Sequence, residues 1–277
     1  MGAEGNNKTN LDNSAIRFWA GVGLRVREGM RMHQLTGQLE KGANSWRNVT
    51  EHCLVQTARS EVLGNLIGLP EDLVQDMRVA AMLHDFDKKQ EITVTKEANR
   101  SGISPLLSVR AEHIRAELLL ERHNFSDRVI RLAGASGVNV PQLVQAQRIL
   151  DQNSLSDEDL AWLVIHYVDD CSIGADWVKR SQEGRNIIDF RMEQNKSKPD
   201  YVRISQEIRQ QLLNHPKLGG MNIFDAAAFV DRQIEERLAQ KIVGKTGENI
   251  NPLKIPELVD QKIRESIENT KVSNNRT

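Results

Sequence analysis

The chain has 277 residues, with 37 Lys or Arg against 38 Asp or Glu and a formal net charge of −1. That length can bury a sizeable core, and the balanced charge gives no general attraction to nucleic acid or to an anionic membrane. Aromatic side chains are 4% of the total, too few for a single-strand stacking platform. Two cysteines, Cys53 and Cys171, cannot build a disulfide framework or a thiolate zinc site.

From the N-terminus, Met1 to Asn10 is polar and lacks the apolar stretch of a signal peptide. No run approaches the ~20 apolar residues of a transmembrane helix. A soluble, cytoplasmic protein with reduced thiols is expected, disordered over residues 1–14. Val55, Ala58, Val62 and Leu66 repeat at helical spacing until Gly68-Leu69-Pro70 ends the run. Pro70-Glu71-Asp72 opens a second helix, its acids placed where the helix dipole favours them. That helix carries Leu73, Met77, Ala80, Ala81 and His84 on one face.

Ile92-Thr93-Val94-Thr95 is the one β-like run and is expected in a loop. Residues 105–123 read as a helix with Val109, His113, Ala116 and Leu120 sharing a face. Ser126-Asp127 opens another through Val129 and Leu132, stopped by Gly134-Ala135-Ser136-Gly137. Helices over 141–150 and 157–180 follow, the second capped by Ser156. A hinge is expected near Asn195 to Pro199, and beyond it three amphipathic helices over 200–214, 222–243 and 256–268. Phe224, Ala227, Ala228, Val230 and Ile234 form a helix seam suited to a homodimer. The class is all-α, with a helical domain over 15–195, a C-terminal helical subdomain over 200–268 and a disordered tail over 269–277.

Within this pattern His84-Asp85 ends the apolar run Val79-Ala80-Ala81-Met82-Leu83. Burying an imidazole beside a carboxylate is costly without compensation, and a divalent ion compensates both. His52, three residues before Val55, points to the buried face of its helix, and Asp169 sits at the edge of the Ala161, Ile165, Val168 stripe. One inward histidine is usually a satisfied core residue. Four inward polar groups on separate segments each need a buried partner, and one shared ion supplies it. Two imidazoles and two carboxylates suit Mn²⁺, Co²⁺, Ni²⁺, Fe²⁺, Mg²⁺ or Zn²⁺.

The segments Asn48-Val49-Thr50-Glu51-His52, Ala80 to Lys88 and His166-Tyr167-Val168-Asp169-Asp170 resemble the HD superfamily of metal-dependent phosphohydrolases over about residues 46–180. The resemblance implies an all-α HD-domain helical bundle with a C-terminal helical extension here. It implies His52, His84, Asp85 and Asp169 as ligands of one divalent ion, Asp169 rather than Asp170 matching the family's final aspartate. Lys88 matches a lysine that neutralises substrate phosphate in one family variant, against the plain reading of a solvated residue past a helix end. Asp87 stands where that variant has glycine, and is either a proton-transfer group or a residue tolerating a left-handed turn. His113 resembles the extra histidine of dinuclear members, but Gly134-Ala135-Ser136-Gly137 occupies the stretch where their further histidine falls and His123 comes too early. A complete second metal site through His113 is not expected.

Arg47, Lys179, Arg180 and Arg185 are candidate phosphate contacts, since guanidinium groups grip phosphate bidentately, though such groups are commonly solvated. Trp46 and Trp177 read as packing. The expected function is hydrolysis of a small phosphate ester of nucleotide type by metal-activated water, with Asp85, Asp87 and Lys88 taking part. The alternative is a catalytically degenerate HD-fold protein that binds a nucleotide for regulation.

Overall fold

Helix-forming segments with polar caps and short turns dominate the chain, and the structure, a computed structural model, describes residues 24–39, 46–102, 105–137, 139–173, 176–177 and 199–274. Among these the architecture is all-α. In order it runs α1 (Leu24–Leu35), α2 (Arg47–Ile67), α3 (Glu71–Leu83), α4 (Lys88–Arg100), α5 (Pro105–Arg122), α6 (Asp127–Ala133), α7 (Val140–Leu150) and α8 (Asp157–Asp170). A two-residue antiparallel pair follows, β1 (Ser172–Ile173) with β2 (Asp176–Trp177), in register Ser172 to Trp177. The rest is α9 (Pro199–Leu212), α10 (Ile223–Thr246), a 3₁₀ turn at Pro252–Lys254 and α11 (Ile255–Asn274). No described helix is long and apolar enough to cross a membrane.

Helix α3 is the hub. Nine of its residues are buried, from Leu73 to Leu83, and it packs against α1, α2, α6 and α8. Full burial of side chains such as Leu63, Met77, Leu83 and Leu163 contributes about 1.5–3 kcal/mol each. Helix α2 ends where expected. Gly68 adopts φ 81°, its N–H donates to the Asn65 carbonyl, and the Leu69 N–H reaches back to the Gly64 carbonyl. At the start of α8 the Ser156 hydroxyl accepts from the Asp159 N–H while the Asp159 carboxylate takes the Ser156 N–H, closing a capping box.

Three expectations fail for identifiable reasons. The helix expected over 157–180 stops at Asp170, because Ser172 Oγ donates to the Val168 carbonyl at 2.6 Å and accepts from Arg59, pulling the chain into the β pair. Ile92–Thr95 lies inside α4, not in a loop. Packing of α4 on α5 overrides β propensity, and Thr93 returns its hydroxyl to the Lys89 carbonyl at 2.8 Å. The last helix continues to Asn274, past the expected start of the tail.

The α10 seam also turns inward. Of the expected seam, Ala227, Val230 and Ile234 are buried in the same core as α2, α7 and α8, and Phe224 packs partly buried against it. Trp177 packs on Tyr167 and under the Arg59 guanidinium, 3.9 Å from its ring centre. The N-terminal 14 residues and the hinge at 195–198 lie outside the described residues.

Candidate metal centre

Three helices deliver one group each to a shared point. His52 comes from the second turn of α2, His84 caps the C-terminus of α3, and Asp169 sits in the last turn of α8. His52 Nε2 is 3.0 Å from Asp169 Oδ1 and 3.2 Å from His84 Nε2, and His84 Nε2 is 3.3 Å from Asp169 Oδ1. This nearly equilateral triangle has the size that ligands of one ion require. Bonds of about 2.1 Å separate neighbouring ligand atoms by about 3.0 Å at octahedral angles and about 3.4 Å at tetrahedral ones. These three buried and half-buried groups could hold a metal ion.

The rings are oriented from behind. His84 Nδ1–H donates to the Ala81 carbonyl at 2.8 Å, which leaves Nε2 facing the triangle. The Gln56 amide meets His52 Nδ1 at 3.2 Å and fixes that ring likewise. Asp85 lies at the rim. Its Oδ2 is 3.8 Å from His84 Nε2, while Oδ1 takes the Lys88 ammonium at 3.3 Å.

Charge is concentrated here. Burial alone lowers the pKa of an imidazole, but at His52 the hydrogen bond to Asp169 reverses this and raises it. At His84 burial is likewise outweighed, by Cys53, Asp169 and Asp85, and the pKa rises well above the ordinary value. Burial pushes the Asp169 carboxyl up, yet the two imidazoles hold it well below the usual range. Burial raises the buried Cys53 thiol as well, and His84 and His33 pull it down to about 6.

The turn after α3 is held by residues that sequence reasoning missed. A helix C-terminus leaves carbonyls without intrahelical partners, and α1 with its following turn supplies donors. His33 Nε2–H donates to the Met82 carbonyl at 2.7 Å, Gln38 to the Asp85 carbonyl at 2.7 Å, and Thr36 to the Phe86 carbonyl. Thr50 completes the clamp by donating to His33 Nδ1 at 3.0 Å. Gly29 permits the close approach, since a Cβ there would stand 2.7 Å from Met82 Cγ. None of these polar residues lies in an apolar run, the signal that exposed His52 and His84.

The remaining candidates take definite places. Lys88 opens α4 and, a third exposed, sits between Asp85 and Glu91, 3.2 Å from the Glu91 carboxylate, and Asp85 raises its pKa. Asp87 is buried and ion-paired to Arg115. It is not in a left-handed conformation, which excludes that reading of its replacing glycine. His113 Nε2 is 3.5 Å from Glu91 Oε2 and belongs to none of the described metal-competent groups. Asp170 points away from the triangle toward His166, at 3.4 Å. Lys179, Arg180 and Arg185 lie outside the described residues, as does the side chain of Arg47. No family model, curated protein or solved structure matches the chain.

Proposed function

We propose that the chain is an HD-type, metal-dependent phosphohydrolase whose ion is held by His52, His84 and Asp169, with Asp85 at the rim. The observation that carries this reading is the triangle of 3.0, 3.2 and 3.3 Å between ligand atoms, exposed to solvent only at the His52 and Asp169 edge and flanked by a lysine. When bound, a divalent ion there supplies Lewis-acid polarisation of a phosphoryl oxygen and makes hydroxide accessible near neutral pH. Asp85 keeps Lys88 at the rim, where turning its ammonium from Glu91 toward a phosphate oxygen neutralises charge as the ester bond breaks. The Asp87–Arg115 pair fixes the turn that carries both groups. Both cysteines are buried and neither forms a disulfide, which supports a reducing, cytoplasmic setting.

The phosphate class is the expected substrate, with nucleotides the first to test. Metal content of the purified protein, followed by a phosphate-ester panel, tests the reading. Bound metal with turnover that disappears in Asp169→Asn supports it, and turnover retained by metal-free Asp169→Asn overturns it. One observation favours a second reading. Lys88 is already bracketed by two carboxylates, which neutralise the charge it would offer to a leaving phosphate. Stoichiometric metal, nucleotide binding and no turnover of any ester identify that regulatory protein.

A further inference from the structure

A second His/Asp cluster lies on the other side of α8. His166 and Asp170 stand one helical turn apart on α8, and Asp231 reaches in from α10. All three are buried, at 0%, 6% and 1% exposure. One ligand atom from each lies within 4.8 Å of the other two, and His166 Nε2 is 3.4 Å from Asp170 Oδ2.

The histidine gives the cluster its direction. His166 Nδ1–H donates to the Ala135 carbonyl at 2.9 Å, and because a carbonyl only accepts, the neutral ring carries its hydrogen on Nδ1. Its ring is further held by stacking on Trp162 at 5.3 Å. Nε2 therefore faces the carboxylates, and this fully buried atom makes no hydrogen bond. In the neutral ring a lone pair aimed at carboxylate oxygens is repulsive unless a proton or a metal ion lies between them. Glu235, one turn beyond Asp231 on α10 and 2% exposed, adds carboxylate charge on that helix, its Oε1 accepting from Tyr167 at 3.1 Å.

We propose that His166, Asp170 and Asp231 hold a divalent cation, a structural ion that ties α8 to α10. One imidazole and two carboxylates suit Zn²⁺, Mn²⁺ or Fe²⁺ over a thiolate-preferring ion. Burial of all three ligand residues matches a closed structural site rather than a catalytic centre that keeps an open position. The proposal does not depend on the hydrolase reading, because it concerns different residues and a different role.

The test is metal per chain in the full-length protein carrying His52→Ala and Asp169→Ala, which empties the partly exposed triangle. Elemental analysis for Zn, Mn, Fe, Co and Ni is expected to find about one ion per chain. Adding Asp231→Asn is expected to remove it. No ion in the first protein overturns the proposal and means that protons or a side-chain cation neutralise the cluster. One ion kept after Asp231→Asn also overturns it. Unsubstituted protein gives a parallel reading that needs no mutant to fold. After exhaustive EDTA dialysis it is expected to keep one ion per chain until unfolded in guanidinium, and a metal-free folded protein overturns the proposal.

Discussion

Asp169 and Asp170 are neighbours in sequence, yet they serve two clusters that share a composition and differ in exposure. Asp169 turns toward His52 and His84, with side-chain exposures of 17%, 12% and 1%. Asp170 turns toward His166 and Asp231, where no side chain is more than a few per cent exposed. Consecutive residues on a helix point about 100° apart, so a single turn of α8 can feed both. A partly exposed edge gives protons and metal access from solvent. A sealed cluster can only fix the packing of α8 against α10. The same chemistry is thus suited to reaction in one place and to cohesion in the other.

The sharpest way to break that distinction is to remove one member of each. His84→Ala should lose the ion of the open cluster and lower kcat on a phosphate ester by about 10³-fold or more, because several kcal/mol of transition-state stabilisation go with the ion. Its helical circular dichroism should persist. His166→Ala should do the reverse. Breaking a buried charged cluster costs about 3–5 kcal/mol, which for a chain of this size lowers Tm by roughly 6–20 °C. Well below that Tm, kcat should stay within about 3-fold. Equal activity losses in the two variants would show that the clusters act as one.

Proton competition offers a finer separation. With the open cluster empty, Asp169 holds the His52 and His84 pKa values above the ordinary 6.5 and the two imidazoles hold that of Asp169 below 3.8. The imidazole contribution to stability is complete below the unfolded value and is lost as pH rises through the folded ones. The Asp169 contribution is complete above its unfolded value and is lost as pH falls through the folded one. EDTA-treated protein should therefore be most stable between pH 3.8 and 6.5. Metal-loaded protein should gain on it as pH rises, since ligation requires unprotonated imidazoles. Thermal melts that run parallel with and without EDTA from pH 5 to 8 would refute ligation by these histidines.

The clamp on the α3 turn sets a smaller effect. Gln38→Ala removes the donor to the Asp85 carbonyl and should cost about 1 kcal/mol of stability. Because the turn positions His84 and Asp85, metal affinity of the open cluster should fall about 10-fold, while the sealed cluster keeps its ion. Competition with a chelating dye reads both.

How far the sequence discloses these clusters depends on their surroundings. His52 and His84 interrupt apolar helical stripes, so their inward aim is readable from spacing alone. Asp169 and Asp170 are not separable that way, since each lies near the edge of the α8 stripe and only the rotation of α8 against α2 and α10 decides. His166 looks like an ordinary core histidine, because its partner Asp231 arrives from a helix far along the chain. His33, Thr36 and Gln38 lie in a polar stretch that reads as solvated, and their role exists only once α1 packs on the end of α3. The all-α class and the end of α2 at Gly68 are local matters and can be read directly. Ile92–Thr95 misleads for the opposite reason, its β propensity being overridden by the α4–α5 contact.

The smallest expected effect concerns a third pair, on the surface. Lys217 Nζ lies 2.6 Å from Asp151 Oδ1, much closer than His166 is to Asp170 at 3.4 Å. If distance governed stability, Lys217→Ala would cost more than His166→Ala. Both side chains are more than 40% exposed, however, and water screens the charges and competes for their hydrogen bonds. Lys217→Ala should therefore change stability by less than about 1 kcal/mol, and 1 M NaCl should erase most of that difference by screening. The cost of His166→Ala should survive the same salt, because buried groups are screened much less. A salt-insensitive loss at Lys217 comparable to that at His166 would mean that contact distance, and not burial, ranks these pairs.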